Sequence, residues 1–268
     1  MAFATIKFAE PEPGVGLITL SRPDRLNALS LDMVEELYTL FGQLHHREQA
    51  RVLIITGEGR GFCSGADLKD ARIRGEAVGG FSSAARHLET IQKKYANLIL
   101  EMRRLPQPII AAVNGPAAGG GMSLALASDV VIAGPAATFT PSFINIGLSG
   151  GEMGTTFFLP KQVGSARAAE ILLTGRTVHA AEAERIGLVS RVVEPERLME
   201  AAMEMARTML AKSPVGLRFT KEALNLNLTA TSLEAAIELE NRNQSICCCT
   251  PELSRAIDDF NKRRTPPN

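Results

Sequence analysis

Net charge is the first thing this sequence lacks, since 29 lysines and arginines balance 29 aspartates and glutamates. No global field therefore draws the chain to nucleic acid or to an anionic membrane surface, and any anion must be met by a local patch. Cysteine is scarce, with four in 268 residues, at Cys63 and at the consecutive Cys247, Cys248 and Cys249. That spacing excludes a disulfide framework and a zinc motif. It reads as the reduced thiols of a cytoplasmic protein, Cys63 being a small core residue. The opening MAFATIKFAEPEPG has no basic start followed by an apolar stretch, so it does not read as a signal peptide. Long apolar runs are missing too. Between Arg104 and Glu152 the only charged residue is Asp129, yet Pro108, Asn114, Pro116, Gly119 to Gly121 and Pro135 interrupt every window long enough to span a bilayer, so the stretch reads as buried interior. There is no repeat of fixed period and no Ser- or Gly-rich linker. The expectation is one unit with a soft boundary near residue 200, dividing 1–199 from 200–268.

What is present is an α/β rhythm. Residues 3–8 and 14–20 are short β-rich runs separated by Pro11, Pro13 and Gly14, as in a hairpin. From Ser30, a candidate N-cap, Met33, Leu37, Leu40, Phe41 and Leu44 form one apolar helical stripe. Arg51-VLIIT-Gly57 reads as a buried strand, residues 82–104 as a long helix, Pro108-IIAAV-Asn114 as a second buried strand, and GGGMSLALAS as a helix feeding the strand DVVIAG. After Gly154 the strands nearly vanish. Residues 164–174, 179–186, 195–212, 214–227, 231–246 and 251–264 all read as amphipathic helices, the third with the stripe Leu198, Ala201, Ala202, Met205 and Met209.

Two glycine-containing turns follow buried strands: Gly61-Phe-Cys-Ser-Gly-Ala-Asp-Leu-Lys69 and Asn114-Gly-Pro-Ala-Ala-Gly-Gly-Gly-Met122. Free N–H groups at such strand-to-helix turns carry partial positive charge, and glycine admits a ligand close to them. If the two turns converge, their N–H groups can hold one developing oxyanion, with each donor contributing about 3 kcal/mol. Two other patterns compete. Gly147-Leu-Ser149-Gly-Gly151 matches the G-x-S-x-G of serine hydrolases, which requires a strand before the serine and a downstream histidine, here only His179. Gly59-x-Gly61 would need a glycine where Ser64 stands to make a dinucleotide fingerprint. His45, His46 and His87 sit on polar helix faces and form no metal constellation.

The runs RPDRLNALS (22–30), GRGFCSGADLK (59–69), AAVNGPAAGGGMSLALASD (111–129) and LPKQVGSARAAEILLTGRTVHAAEAERIGLVSRVV (159–193) resemble, in order, the signature stretches of the enoyl-CoA hydratase/isomerase (crotonase) superfamily. The resemblance implies an α/β, crotonase-like spiral of ββα repeats over 1–199. A helical C-terminal trimerisation region would follow over 200–268, assembled as a homotrimer or dimer of trimers. It also implies an acyl-CoA substrate whose thioester oxygen lies between the N–H groups of Ala66 and Gly120, with no cofactor beyond the coenzyme A that the substrate carries. By the same likeness Leu26 and Ala28 lie at the adenine end of coenzyme A. Ser64, Asp67, Leu68, Lys69 and Gly119 line its path, with Lys69 near the pantetheine or phosphates, and Phe260 and Lys262 cover it.

Hydratases of this kind place two glutamates where this chain has Ser123 and Phe143, neither of which shuttles a proton unaided at neutral pH. Glu152, in GLSGGEMGTT, matches a turn in which isomerase members carry an acid, and the resemblance implies that it removes and returns a proton on the acyl chain. Asp129 resembles a buried structural aspartate. The alternative is an acyl-CoA-binding protein of the same fold that has lost catalysis.

Overall fold

The computed structural model describes residues 3–47, 49–70, 72–73 and 84–264. Two compact units make up the chain, Met1–Arg207 and Thr208–Asn268. The division falls inside the helix Leu198–Leu210, a few residues beyond the boundary expected near 200.

The first unit is built on a six-stranded sheet of order β1-β2-β3-β4-β6-β9 and a three-stranded sheet of order β5-β7-β8. In the large sheet β1 (Ile6–Glu12) pairs antiparallel with β2 (Val15–Leu20). All other pairings are parallel, through β3 (Val52–Gly57), β4 (Ile109–Val113), β6 (Val130–Ala133) and β9 (Arg191–Val192). Every residue of β3 and β4 is buried, as a central parallel strand covered on both faces requires. The small sheet holds β5 (Pro116–Ala118), β7 (Thr138–Thr140) and β8 (Val178–His179). From β4 to β7 the strands alternate between sheets: β4 then β5 precede the helix Gly120–Ala127, and β6 then β7 precede the helix Ser142–Asn145. This is the expected strand–strand–helix repeat.

Several local expectations hold. Ser30 caps α1 (Leu31–Leu44), its hydroxyl accepting from the Met33 N–H at 3.2 Å, an interaction of about 1 kcal/mol. The whole stripe Met33, Leu37, Leu40, Phe41 and Leu44 is buried, each large side chain contributing about 2 kcal/mol by leaving water.

Other elements differ. The first strand runs on through Pro11 because β1 is an edge strand whose register shifts between Ala9 and Glu12, where a missing N–H costs no ladder bond. The stripe of Leu198–Leu210 is rotated, with Met203 and Ala206 buried alongside Leu198, Ala201 and Ala202, and Met205 only half-buried. A helix over Thr155–Val163, containing Pro160, was not foreseen, nor were the two- and three-residue strands of the small sheet.

The long helix expected over 82–104 is described from residue 84. A single α turn, α2 (Ala84–His87), leads through a π-helical stretch, Leu88–Gln92, into α3 (Lys93–Arg104); residues 82 and 83 lie outside the described residues.

The second unit contains the helices Pro214–Asn227, Leu233–Cys248 and Pro251–Arg264. Ser213 and Ser232 cap the first two, accepting from the Gly216 and Ala235 N–H groups at 3.2 Å each. Leu224, Leu233 and Ile257 are exposed. A cleft of about 690 Å³ lies between the first two helices, lined among others by Phe219, Leu224 and Asn243. Among the described residues no helix is long and apolar enough to cross a membrane.

Candidate active site

Three segments far apart in sequence meet at one end of β3 and β4. The first is Arg22–Ser30. Asn27 is fully buried with φ of 55°, a left-handed conformation that asparagine tolerates better than most residues. It accepts from the Arg22 N–H at 2.8 Å and donates through Nδ2 to the carbonyls of Glu58 (2.9 Å) and Gly61 (2.8 Å). The Arg22 guanidinium donates to the Ala28 carbonyl at 2.6 Å and to Asp67 Oδ2 at 2.7 Å. Asp67 also accepts from the Lys69 N–H at 3.0 Å. Burial pushes the Asp67 carboxyl upward, but the hydrogen bonds from Arg22 and Lys69 and the charges of Arg22 and Arg25 outweigh it and hold the group below the usual range. Asp67 is thereby a fixed anion that locks the loop.

The second segment is that loop, 61–69. Leu29 brackets Ala66 in an isolated parallel bridge, its N–H donating to the Gly65 carbonyl at 2.8 Å and its carbonyl accepting from Asp67 N–H at 2.9 Å. In a parallel ladder the bracketed residue turns its own amide to the opposite side, so the Ala66 N–H points away from Leu29. The buried Tyr95 hydroxyl also donates to the Leu29 carbonyl, at 2.8 Å. Burial above all, with the nearby Asp70 and Asp67 charges, pushes that phenol's pKa up.

The third segment is Gly115–Ala127. Gly120 is the first residue of α4 (Gly120–Ala127), where N–H groups have no partner within the helix. Neither the Ala66 nor the Gly120 N–H donates to another described residue. The two turns touch backbone to backbone. Gly65 has φ of +86°, and a Cβ there would stand 2.8 Å from the Ala118 carbonyl oxygen and 3.1 Å from the Gly120 nitrogen. Gly119, at φ of +51°, faces it from the other side in ordinary van der Waals contact, with a would-be Cβ 3.8 Å from the Gly65 Cα. The convergence foreseen from the two glycine turns is therefore present.

The surroundings are apolar. Leu29 Cδ1 and Met153 Sδ would each lie 3.0 Å from a Cβ on Gly120, and the Phe143 ring would lie 3.5 Å from one on Gly119. Phe143 is buried; Ser123 is fully buried, and its hydroxyl donates to the Gly119 carbonyl at 3.3 Å. The serine is spent inside its own helix and is not aimed at a ligand.

Met153, which abuts Gly120, itself adopts φ of 47°, an uncommon conformation for a large side chain. It follows Glu152 in a turn pinned by the buried Thr155, whose hydroxyl accepts from the Glu152 N–H at 3.2 Å and lies 3.0 Å from the Gly150 carbonyl. The Glu152 carboxylate is half-buried and accepts from Gln92 Nε2, 2.5 Å from one oxygen and 2.6 Å from the other. Its hydrogen-bond donor is thus a neutral amide. Asp67, and Asp70 with Arg72, are by contrast bound to guanidinium groups.

The remaining candidates fall around this centre. Leu26 is half-buried and would meet a Cβ on Gly61 at 3.2 Å, and Ala28 is buried. Ser64 is half-buried with its hydroxyl donating to the Arg25 carbonyl at 3.2 Å. Leu68 and Lys69 are exposed at the end of the loop. The side chains of Phe260 and Lys262 lie outside the described residues.

Asp129 is structural as expected, accepting from Arg103 Nη1 at 3.0 Å and from the Ile109 N–H at 2.8 Å. Cys63 is fully buried beside Ala117, and burial pushes its thiol up to about 12. The serine-hydrolase pattern fails. Ser149 sits in an exposed loop after the short helix Ser142–Asn145, with no strand before it, and His179 is exposed on β8. Among the described residues no group of three or more His, Cys, Asp or Glu is placed to hold a metal ion.

Arg22, Asn27, Tyr95 and Gln92 carry this geometry and were not singled out from the sequence. Only Asn27, a short polar residue between Leu26 and Ala28, left a local signal.

A family model described as enoyl-CoA hydratase/isomerase matches residues 10–267. A probable enoyl-CoA hydratase of Mycobacterium tuberculosis is 44% identical over 259 residues, covering 96% of this chain and 90% of the relative. The 1,2-epoxyphenylacetyl-CoA isomerase of Escherichia coli is 34% identical over 255 residues, 95% of each protein. The crystal structure of a probable enoyl-CoA hydratase/isomerase from Mycobacterium abscessus superposes with a TM-score of 0.88 at 36% identity, over 97% of both chains.

Proposed function

Because the chain belongs to the enoyl-CoA hydratase/isomerase family, we propose that it is an acyl-CoA enzyme of isomerase type in which Glu152 is the proton-transferring base. The thioester carbonyl oxygen of a 3-enoyl-CoA sits between the N–H groups of Ala66 and Gly120. The Glu152 carboxylate takes a proton from the α carbon. The electron pair spreads over the dienolate, whose oxygen gathers the negative charge that the two N–H groups stabilise more strongly than they did the neutral carbonyl. The protonated Glu152 returns its proton to the γ carbon, and the double bond now lies between the α and β carbons. Atoms balance without water or any redox partner.

The observation that supports this reading is the environment of Glu152. It is held by a neutral amide in the turn that packs on Gly120, while the positions at which a hydratase would carry carboxylates hold Phe143 and an inward-bonded Ser123. A carboxylate already paired with a guanidinium, such as Asp67, is a poor base because proton uptake would break the pair. The exposed loop tip at Leu68 and Lys69, with Leu26, Ala28 and Ser64 behind it, suits the coenzyme A chain.

We place the enzyme in fatty-acid or related acyl-CoA metabolism in the cytoplasm, as a homotrimer or dimer of trimers. The exposed leucines of the helices Pro214–Asn227 and Leu233–Cys248 support assembly. The test is Glu152→Gln, which keeps shape and loses the base. Isomerisation of 3-enoyl-CoA should fall by about 10²- to 10⁴-fold with thioester binding retained. Unchanged turnover would remove Glu152 from the mechanism. Binding with no turnover in the wild type would favour a protein that has kept the pocket and lost the chemistry.

A further inference from the structure

We infer that Gln92 is a positioning residue that aims the Glu152 carboxylate, so that the proton taken from the α carbon is returned to the γ carbon; the inference rests on Glu152 being the base. Nε2 of Gln92 lies within hydrogen-bond distance of both carboxylate oxygens. An amide nitrogen has two N–H donors and a carboxylate about four lone-pair sites. The contact therefore fixes the plane of the carboxylate and leaves lone pairs for substrate. Being neutral, the donor orients the group without fixing its charge, unlike the Arg22 contact on Asp67.

The backbone is specialised at this point. Gln92 ends the π-helical stretch Leu88–Gln92, in which the Lys93 N–H reaches back to the Leu88 carbonyl. In an uninterrupted α-helix Leu88 would lie on the buried stripe of Ile91, Tyr95, Leu98, Ile99 and Met102, one turn before Gln92. It is instead 45% exposed. Single π turns inside α-helices recur at functional sites, and here the irregularity ends at the glutamine. Three residues on, Tyr95 donates to the Leu29 carbonyl that frames Ala66. One helical segment thus holds both the base and the loop carrying the first oxyanion donor, which keeps the distance between proton acceptor and enolate oxygen constant during the reaction.

The test uses the full-length protein and a 3-enoyl-CoA in deuterated water, comparing wild type, Gln92→Met, Gln92→Leu and Glu152→Gln. Four quantities are read: kcat, KM, the melting temperature, and the ratio of α-deuterated recovered substrate to isomerised product. A mis-aimed base still exchanges the α proton but fails to deliver it to the γ carbon. Gln92→Met, of similar length, should lower kcat about tenfold to hundredfold with KM within about twofold, and the exchange-to-isomerisation ratio should rise. Gln92→Leu provides the same reading should the methionine variant fold poorly. A fall in kcat that tracks melting temperature with the ratio unchanged would mean the contact is only structural and overturns the inference, as would wild-type kinetics. If Glu152→Gln keeps full activity, or the wild type is silent on every enoyl-CoA offered, the base assignment falls and the inference with it. If Glu152→Gln is inactive while Gln92→Met is normal, only the positioning role falls.

Discussion

Gly65→Ala puts a methyl group where the two site loops meet. At φ of +86° an L-residue is disfavoured by about 1–2 kcal/mol, a cost to stability alone. The catalytic cost comes from contact. The new Cβ would stand 2.8 Å from the Ala118 carbonyl oxygen and 3.1 Å from the Gly120 nitrogen, where non-bonded atoms prefer about 3.5 Å. Both obstacles are backbone, so neither swings aside, and the loops must part by about 0.5 Å. Full removal of one oxyanion donor costs about 3 kcal/mol, and a partial displacement should take a share of it, lowering kcat about tenfold to hundredfold. KM should change little, because the donors act mainly on the enolate. Steady-state isomerisation with a thermal melt on the same sample checks this. A variant whose kcat stays within about twofold of wild type, with its structure intact, would show that the convergence at Gly65 does not bind the reacting oxygen.

Arg22→Met should remove the cation from a buried carboxylate at a cost of about 3 kcal/mol near neutral pH. In the wild type Asp67 is held below its ordinary range, so its contribution to stability is present above about pH 4 and lost as pH falls further. The gap in melting temperature between wild type and variant should therefore narrow as pH falls below about 4 and close only where even the lowered Asp67 carboxyl of the wild type is protonated; a gap constant with pH would contradict the pairing. Cys63, with its thiol pushed up to about 12 and no exposure, should resist alkylation at pH 8 until the protein unfolds. The exposed Cys248 and Cys249 should be labelled at once, as peptide mapping by mass would show; early labelling of Cys63 would mean that the loop beside Ala66 opens.

Local signals in the sequence were strong wherever one residue type dictates its own surroundings. Ser30 and the stripe behind it gave α1, the β-branched run VLIIT gave a buried strand, and the glycines at 65 and 119 to 121 marked two turns that do approach each other. The resemblance of four motifs to the family supplied the assignment of donors, and the geometry of Ala66 and Gly120 is consistent with it. What stayed hidden was non-local. Nothing within a few residues of Gln92 indicates a partner sixty positions away, and the Arg22–Asp67 pair spans forty-five. The small sheet escaped because β5 and β7 are three residues long and β8 two, too short for any alternation to register. The helix Thr155–Val163 was masked by Pro160, which normally argues against a helix interior. Ser123 stood out by its position in the motif, yet its hydroxyl is absorbed by the helix carbonyl four residues back.

In the proposed reaction this site forms a thioester enolate and moves a proton with Glu152 without adding water. This reaction is tested most directly by incubating the purified protein with 2-enoyl- and 3-enoyl-CoA in deuterated water and weighing the products. The expected product is 2-enoyl-CoA from the 3-enoyl substrate, with deuterium at the α or γ carbon and no mass gain from water. Formation of a 3-hydroxyacyl-CoA from the 2-enoyl substrate would contradict it, and would mean that hydration proceeds without carboxylates at positions 123 and 143.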